Sequence, residues 1–116
     1  VASNVELGWC AGFFDGEGTT SVLKAQRDKY SYIRMGISQK DRRCLDRFQI
    51  AVGCGNIYKS NTREIYSWNC YKKDDVENVL LLLWPYLSNL KKEQAVRSRE
   101  TVALNSKLKH DKLTEN

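Results

Sequence analysis

Apolar and polar positions along this chain follow two rhythms, one of about 3.6 residues and one of two, and the changes between them mark its elements. Near the start, Trp9, Cys10, Phe13 and Phe14 recur at i, i+3 and i+4, which predicts a helix with one buried face. Gly8, Ala11 and Gly12 form a second face with almost no side chain. An interior glycine weakens a helix by roughly 1 kcal/mol relative to alanine, so two of them point to another backbone approaching closely. Gly16 and Gly18 are expected to stop the helix. Residues 19–27 and 30–39 then read as strands, joined by a tight hairpin at Asp28-Lys29. In the second of them Ile33, Met35 and Ile37 face one way, while Tyr30, Tyr32, Arg34, Gly36 and Ser38 face the other.

Residues 41–52, carrying Leu45, Phe48, Ile50, Ala51 and Val52, predict a helix that ends at Gly53. A second hairpin pairs 55–59 with 64–71 around Ser60-Asn61-Thr62-Arg63. Its inward set is Ile57, Tyr66 and Trp68, and its outward set Asn56, Tyr58, Ser60, Ser67 and Asn69. Asp74 is expected to cap the next helix, with Asp75 and Glu77 in the first turn and Val76, Val79, Leu80, Leu83 and Tyr86 in the core. Pro85 breaks that helix. A more polar helix follows over 91–109, and a frayed tail over about 110–116. The order α-β-β-α-β-β-α-α predicts one α+β domain over 1–116, an antiparallel four-stranded sheet backed by helices, with no internal repeat.

Charge sharpens this picture. The net charge is +5, but residues 1–18 hold three acids and no base, and residues 74–116 hold seven of each. The excess lies in residues 19–73, with twelve bases against four acids, and that segment is the predicted sheet. A basic excess confined to one layer is an electrostatic footprint for phosphate. No apolar run is long enough to span a membrane, so no membrane partner is expected. Cys10, Cys44, Cys54 and Cys70 show no C-x-x-C spacing, which argues against a zinc site or a disulfide framework. Small buried thiols in an intracellular, reducing compartment (cytoplasm or organelle) are expected instead.

The first helix ends in acids. Asp15 and Glu17 meet the negative end of its dipole, where Lys or Arg would be favourable. Acids there make sense if a cation binds, and hard divalent cations such as Mg²⁺ take carboxylate oxygens. The run Cys10-Ala-Gly-Phe-Phe-Asp-Gly-Glu-Gly18 resembles the signature motif of the LAGLIDADG homing endonucleases, with the match on Ala11, Gly12, Asp15, Gly16, Glu17 and Gly18. The predicted element order is that family's αββαββα core, so the resemblance covers nearly the whole chain.

The resemblance implies a Mg²⁺-dependent, site-specific endonuclease that makes a staggered double-strand cut with 3′ overhangs. Glu17 matches the metal-binding acid, the Gly16 carbonyl is a further ligand, and Asp15 is a lesser ligand candidate beside a helix-end role. Gln39 matches the polar residue that positions water, and Lys91, with Lys92 as competitor, the base that stabilises developing charge. One motif per chain implies a homodimer through Gly8, Ala11 and Gly12, and a roughly palindromic site in double-stranded DNA.

A strand of about ten residues spans ~33 Å. At ~3.4 Å per nucleotide, the polar sheet face could track on the order of nine base pairs of major groove. Candidate DNA contacts are Lys24 or Arg27, Gln26, Tyr30, Tyr32, Arg34, Ser38, Tyr58, Ser60, Ser67 and Asn69, with Lys40, Arg42 and Arg43 beside them. Which side chains of the first strand face DNA is left open by its mixed pattern. The alternative is the same fold as a non-catalytic DNA-binding regulator, or as a maturase acting on intron RNA.

Overall fold

The computed structural model describes residues 2–25 and 30–114. In chain order the elements are α1 (Asn4–Glu17), β1 (Gly18–Lys24), β2 (Ser31–Gln39), α2 (Arg42–Val52), β3 (Asn56–Lys59), β4 (Tyr66–Cys70), α3 (Lys73–Leu83), a 3-10 turn (Trp84–Tyr86) and α4 (Asn89–Thr114). The four strands form one antiparallel sheet in the order β1-β2-β4-β3. The α+β fold with a helix-backed sheet is therefore as expected. The turn predicted at Asp28-Lys29 lies outside the described residues, as do Gln26 and Arg27.

One face of the sheet is covered by helices. Met35, Ile37, Trp68 and Cys70 point to it and are buried with Phe14 of α1, Leu45 and Phe48 of α2, and Val79 and Leu83 of α3. The Phe48 ring is central, edge-on to Trp68 at 4.8 Å and stacked with Phe14 at 6.4 Å. Two close approaches need glycine. A Cβ on Gly18 would sit 2.3 Å from the Phe14 ring, and one on Gly55 2.2 Å from Trp68 Nε1. Gly55 also has φ +88, a backbone region that disfavours side chains.

Several boundaries and faces differ from the sequence reading. Helix α1 runs through Gly16 and stops only at Gly18, whose N–H donates to Phe14 O. Ala11 faces the interior of its own subunit at 0 % exposure. Ile50 is 80 % exposed, because the buried face of α2 is filled by Leu45, Phe48 and Val52. Asp74 lies inside the first turn of α3, the cap position falling on Lys72 without a side-chain bond. Tyr86 is 39 % exposed, since the turn around Pro85 rotates it outward, and Leu87 fills the core instead. Ser60 belongs to the turn between β3 and β4, where its Oγ accepts from the N–H groups of Thr62 and Arg63. Helix α4 starts two residues earlier than predicted and extends to Thr114.

Candidate functional site

The carboxylate end of α1 is built by three local contacts. Gly18 leaves α1 in an extended conformation and starts β1, so the helix end opens onto the sheet edge beside the end of β2. Asp15 accepts the N–H of Ser88 with both oxygens, at 3.1 and 3.2 Å. That pins the end of α1 to the residue before α4. Ser88 in turn caps α4, its Oγ accepting from Lys91 N at 3.3 Å. The first turn of α4 therefore delivers Lys91 inward, where its Nζ donates to Gly18 O at 2.6 Å. Lys91 is only 9 % exposed, and its ammonium lies 6.0 Å from the Phe14 ring centre. Lys92 points elsewhere, over the Trp84 ring.

Glu17 is the last residue of α1. Its side chain is exposed and makes no hydrogen bond or ion pair among the described residues. Gln39, the last residue of β2, is half-buried. Gly18 pairs with Ile37, so Gln39 lies two residues beyond the strand partner of the residue that follows Glu17. The end of α1, the end of β2 and the first turn of α4 thus lie at one corner of the fold. Among the described residues, Glu17 is an unpaired carboxylate at the electronegative end of a helix, where backbone carbonyls such as that of Gly16 also end. This donor set fits a hard divalent cation.

The open face of the sheet is set by register, because residues opposite each other in antiparallel strands point the same way. Arg34 pairs with Ser21, Tyr32 with Leu23, Ser38 with Ser67, and Tyr58 with Ser67. Tyr32, Arg34, Ser38, Tyr58, Ser67 and Asn69 therefore share the face away from the helices, and the Tyr30 ring meets Tyr32 at 6.2 Å. The open question about β1 is resolved in favour of Thr19, Ser21 and Leu23 on that face. Lys24 pairs with Ser31 and shares the helix-covered side with Thr20 and Val22. Arg34 Nε and Ser21 Oγ are buried on the open face with no hydrogen-bond partner among the described residues. Ser38 and Ser67 satisfy each other at 2.9 Å.

The bases after β2 are already engaged. Arg42 pairs with Asp46 at 3.1 Å, and Arg43 grips Asp41 at 2.6 Å. The Arg43 side chain, with its backbone N–H, holds the Asp41 carboxyl down to about 2. Lys40 is exposed beside them. Tyr71 was missed by the sequence reading. It continues the Ser67, Asn69 alternation past the end of β4, and its ring meets Tyr32 at 6.2 Å. Its place in that alternation was the available signal.

The proposed dimer residues separate. Val5, Gly8, Gly12 and Gly16 lie at i, i+3 and i+4 spacing, with Val5 83 % exposed and Gly12 and Gly16 exposed. A Cβ at any of the three glycines would meet nothing within 4 Å. Ala11 is not on this stripe, being buried in its own subunit's core. Among the described residues no helix is long and apolar enough to cross a membrane.

Residues 10–102 match the sequence model described as LAGLIDADG endonuclease. No curated protein sequence matches significantly. Among solved structures, the chain is similar to the homing endonuclease I-CvuI in complex with the I-CreI target in 2 mM Mg, with the DNA not cleaved. There the TM-score is 0.72 at 23% identity, over 90% of this chain and 68% of that one. It is similar to the archaeal intron-encoded homing endonuclease I-Vdi141I complexed with DNA, with TM-score 0.64 at 25% identity, over 72% of this chain and 56% of that one. For the homing endonuclease I-TnaI the TM-score is 0.74 at 19% identity, over 95% of this chain and 78% of that one. Likeness at these identities establishes the fold.

Proposed function

The chain belongs to the LAGLIDADG endonuclease family, and from that premise we propose that it is a site-specific homing endonuclease hydrolysing phosphodiesters in double-stranded DNA. The observation that carries this reading is the corner where an unpaired Glu17 carboxylate lies beside Gly18, whose carbonyl is held by the buried Lys91 ammonium. A protein that only binds DNA gains nothing from a carboxylate beside a phosphate-binding surface.

Glu17, with the Gly16 carbonyl, would hold Mg²⁺, which when bound supplies charge neutralisation at the phosphate and a more acidic water. Gln39 would orient that water through its amide. Lys91 would exchange its bond to Gly18 O for the phosphate oxygen on which negative charge develops. Asp15 serves as a positioning residue, since both of its oxygens already take the Ser88 N–H. The open sheet face would read the major groove through Tyr30, Tyr32, Arg34, Ser38, Tyr58, Ser67 and Asn69. The Arg34 guanidinium on this face would supply donors for base edges or phosphate.

One motif per chain gives one active site, and a double-strand break needs two. The stripe of Val5, Gly8, Gly12 and Gly16 would pack against its two-fold mate, placing two Glu17 corners side by side over a roughly palindromic site. The glycines have no neighbour within the subunit that demands their small size, which supports an external partner.

The test is cleavage of a DNA library built from the gene's own flanking sequence, in Mg²⁺, by wild type and Glu17→Gln. Discrete staggered cuts by wild type that vanish in the mutant are expected, with DNA binding retained. Tight binding by both proteins with no cutting by either would move the assignment to a non-catalytic regulator or an RNA maturase.

A further inference from the structure

Two cysteines far apart in sequence meet beside the end of β4. Cys54 lies in the Gly53-Cys54-Gly55 turn between α2 and β3, Cys70 ends β4, and Asp75 lies in the first turn of α3. The two thiol sulfurs and a carboxylate oxygen of Asp75 all lie within 4.8 Å of one another.

The turn that presents Cys54 is held from three sides. Gln49 Nε2 donates to Gly55 O at 2.9 Å, Trp68 Nε1 to Cys54 O at 2.9 Å, and Asn78 Nδ2 to Val52 O at 3.3 Å. Cys70 is buried, while Cys54 and Asp75 are half-buried, so the cluster is fixed yet open to an ion from outside.

We propose that Cys54, Cys70 and Asp75 form a binding site for a borderline-soft divalent cation of the Zn²⁺ class, separate from the carboxylate end of α1. Ligand atoms around one such ion, bound at about 2.0–2.3 Å, stand roughly 3.3–3.8 Å apart, so only a small closure of this cluster is needed. Binding converts both thiols to thiolates and releases two protons. The ion with two thiolates and one carboxylate then carries a net charge of −1. Its fourth position is left to water or to the Asn78 amide. Thiolate donors select against Mg²⁺, so the two sites would take different metals.

A redox pair fits the cluster less well. Burial pushes the Cys70 thiol up to about 12, and burial together with Asp75 raises Cys54. Such thiols are poor partners for disulfide exchange. A carboxylate beside two thiols opposes thiolate formation, and a bound cation reverses that opposition.

The experiment is a Co²⁺ titration of the full chain under a phosphine reductant, read by absorption. One equivalent of Co²⁺ should give thiolate-to-cobalt charge-transfer and tetrahedral d–d bands that Zn²⁺ displaces. The bands should persist in Glu17→Gln and disappear in Cys54→Ser, and Zn²⁺ should raise the melting temperature of wild type but not of Cys54→Ser. Should Cys54→Ser fail to fold, Asp75→Asn carries the test with affinity at least about tenfold weaker. Absence of charge-transfer bands in folded wild type, their persistence in Cys54→Ser, or unchanged affinity in Asp75→Asn would overturn the site.

Discussion

Gly18 has no room for a side chain, because the Phe14 ring occupies the place of one. Gly18→Ala should therefore destabilise the fold by about 1–3 kcal/mol, as overpacking of a filled core does, measured by urea unfolding. The same residue offers its carbonyl to Lys91, which links packing to chemistry at one position. Lys91→Met should lower the cleavage rate by about 10²-fold while DNA affinity changes little, in single-turnover assays against binding titrations. Loss of binding in proportion to loss of rate would instead make Lys91 a plain phosphate contact. Asp41 gives a pH-dependent counterpart. Its carboxyl sits at about 2, against 3.8 ordinarily, chiefly through Arg43. A lowered value means the stabilisation is complete above pH ~4 and disappears as pH falls towards 2. Melting curves of wild type and Asp41→Asn should differ at pH 7 and converge across that window.

At the scale of elements, α1 and α4 are joined end to end by Asp15 and Ser88. Asp15→Ala should cost about 1 kcal/mol and slow cleavage by loosening the approach of Lys91, with the open sheet face unaffected. Thermal melts and cleavage rates, measured beside DNA binding, check this. The elements themselves were legible because their periodicity is strong. Met35, Ile37 and Trp68 in the strands, and Leu45 and Phe48 in α2, were readable as core from spacing alone. Spacing does not say which of two adjacent apolar positions wins, and so Tyr86 was read as core in place of Leu87. Ala11 was misassigned because a small residue looks the same whether it faces its own core or a partner. The acidic end of α1, with Asp15 and Glu17, was legible through the family motif. Its supports, Asp15 on Ser88 and Lys91 on Gly18, join residues 73 positions apart and leave no local trace. The meeting of Cys54 with Cys70 escaped for the same reason, since motif spacing cannot register a contact made by folding.

At the scale of the whole molecule, the surface proposed to read DNA is distinct from the one proposed to meet a second subunit. Gly12→Leu tests the latter, since a Cβ at Gly12 meets nothing within 4 Å among the described residues. Replacing an interior helical glycine favours the helix by several tenths to about 1 kcal/mol, so the single subunit should hold its fold or gain stability. The dimer should nevertheless be lost, with sedimentation velocity showing a monomer and double-strand cleavage falling away. A variant that stays dimeric and cuts both strands would exclude this helix face as the interface. The latch between α1 and α4 also has a consequence in time. The groove-reading face is complete once β4 has emerged, but the lysine of the cutting corner and the serine that fixes its helix belong to the last third of the chain. On the proposed reading, a product that ends before residue 88 lacks both of them, together with the helix that packs on β1 and β2, and so cannot cut.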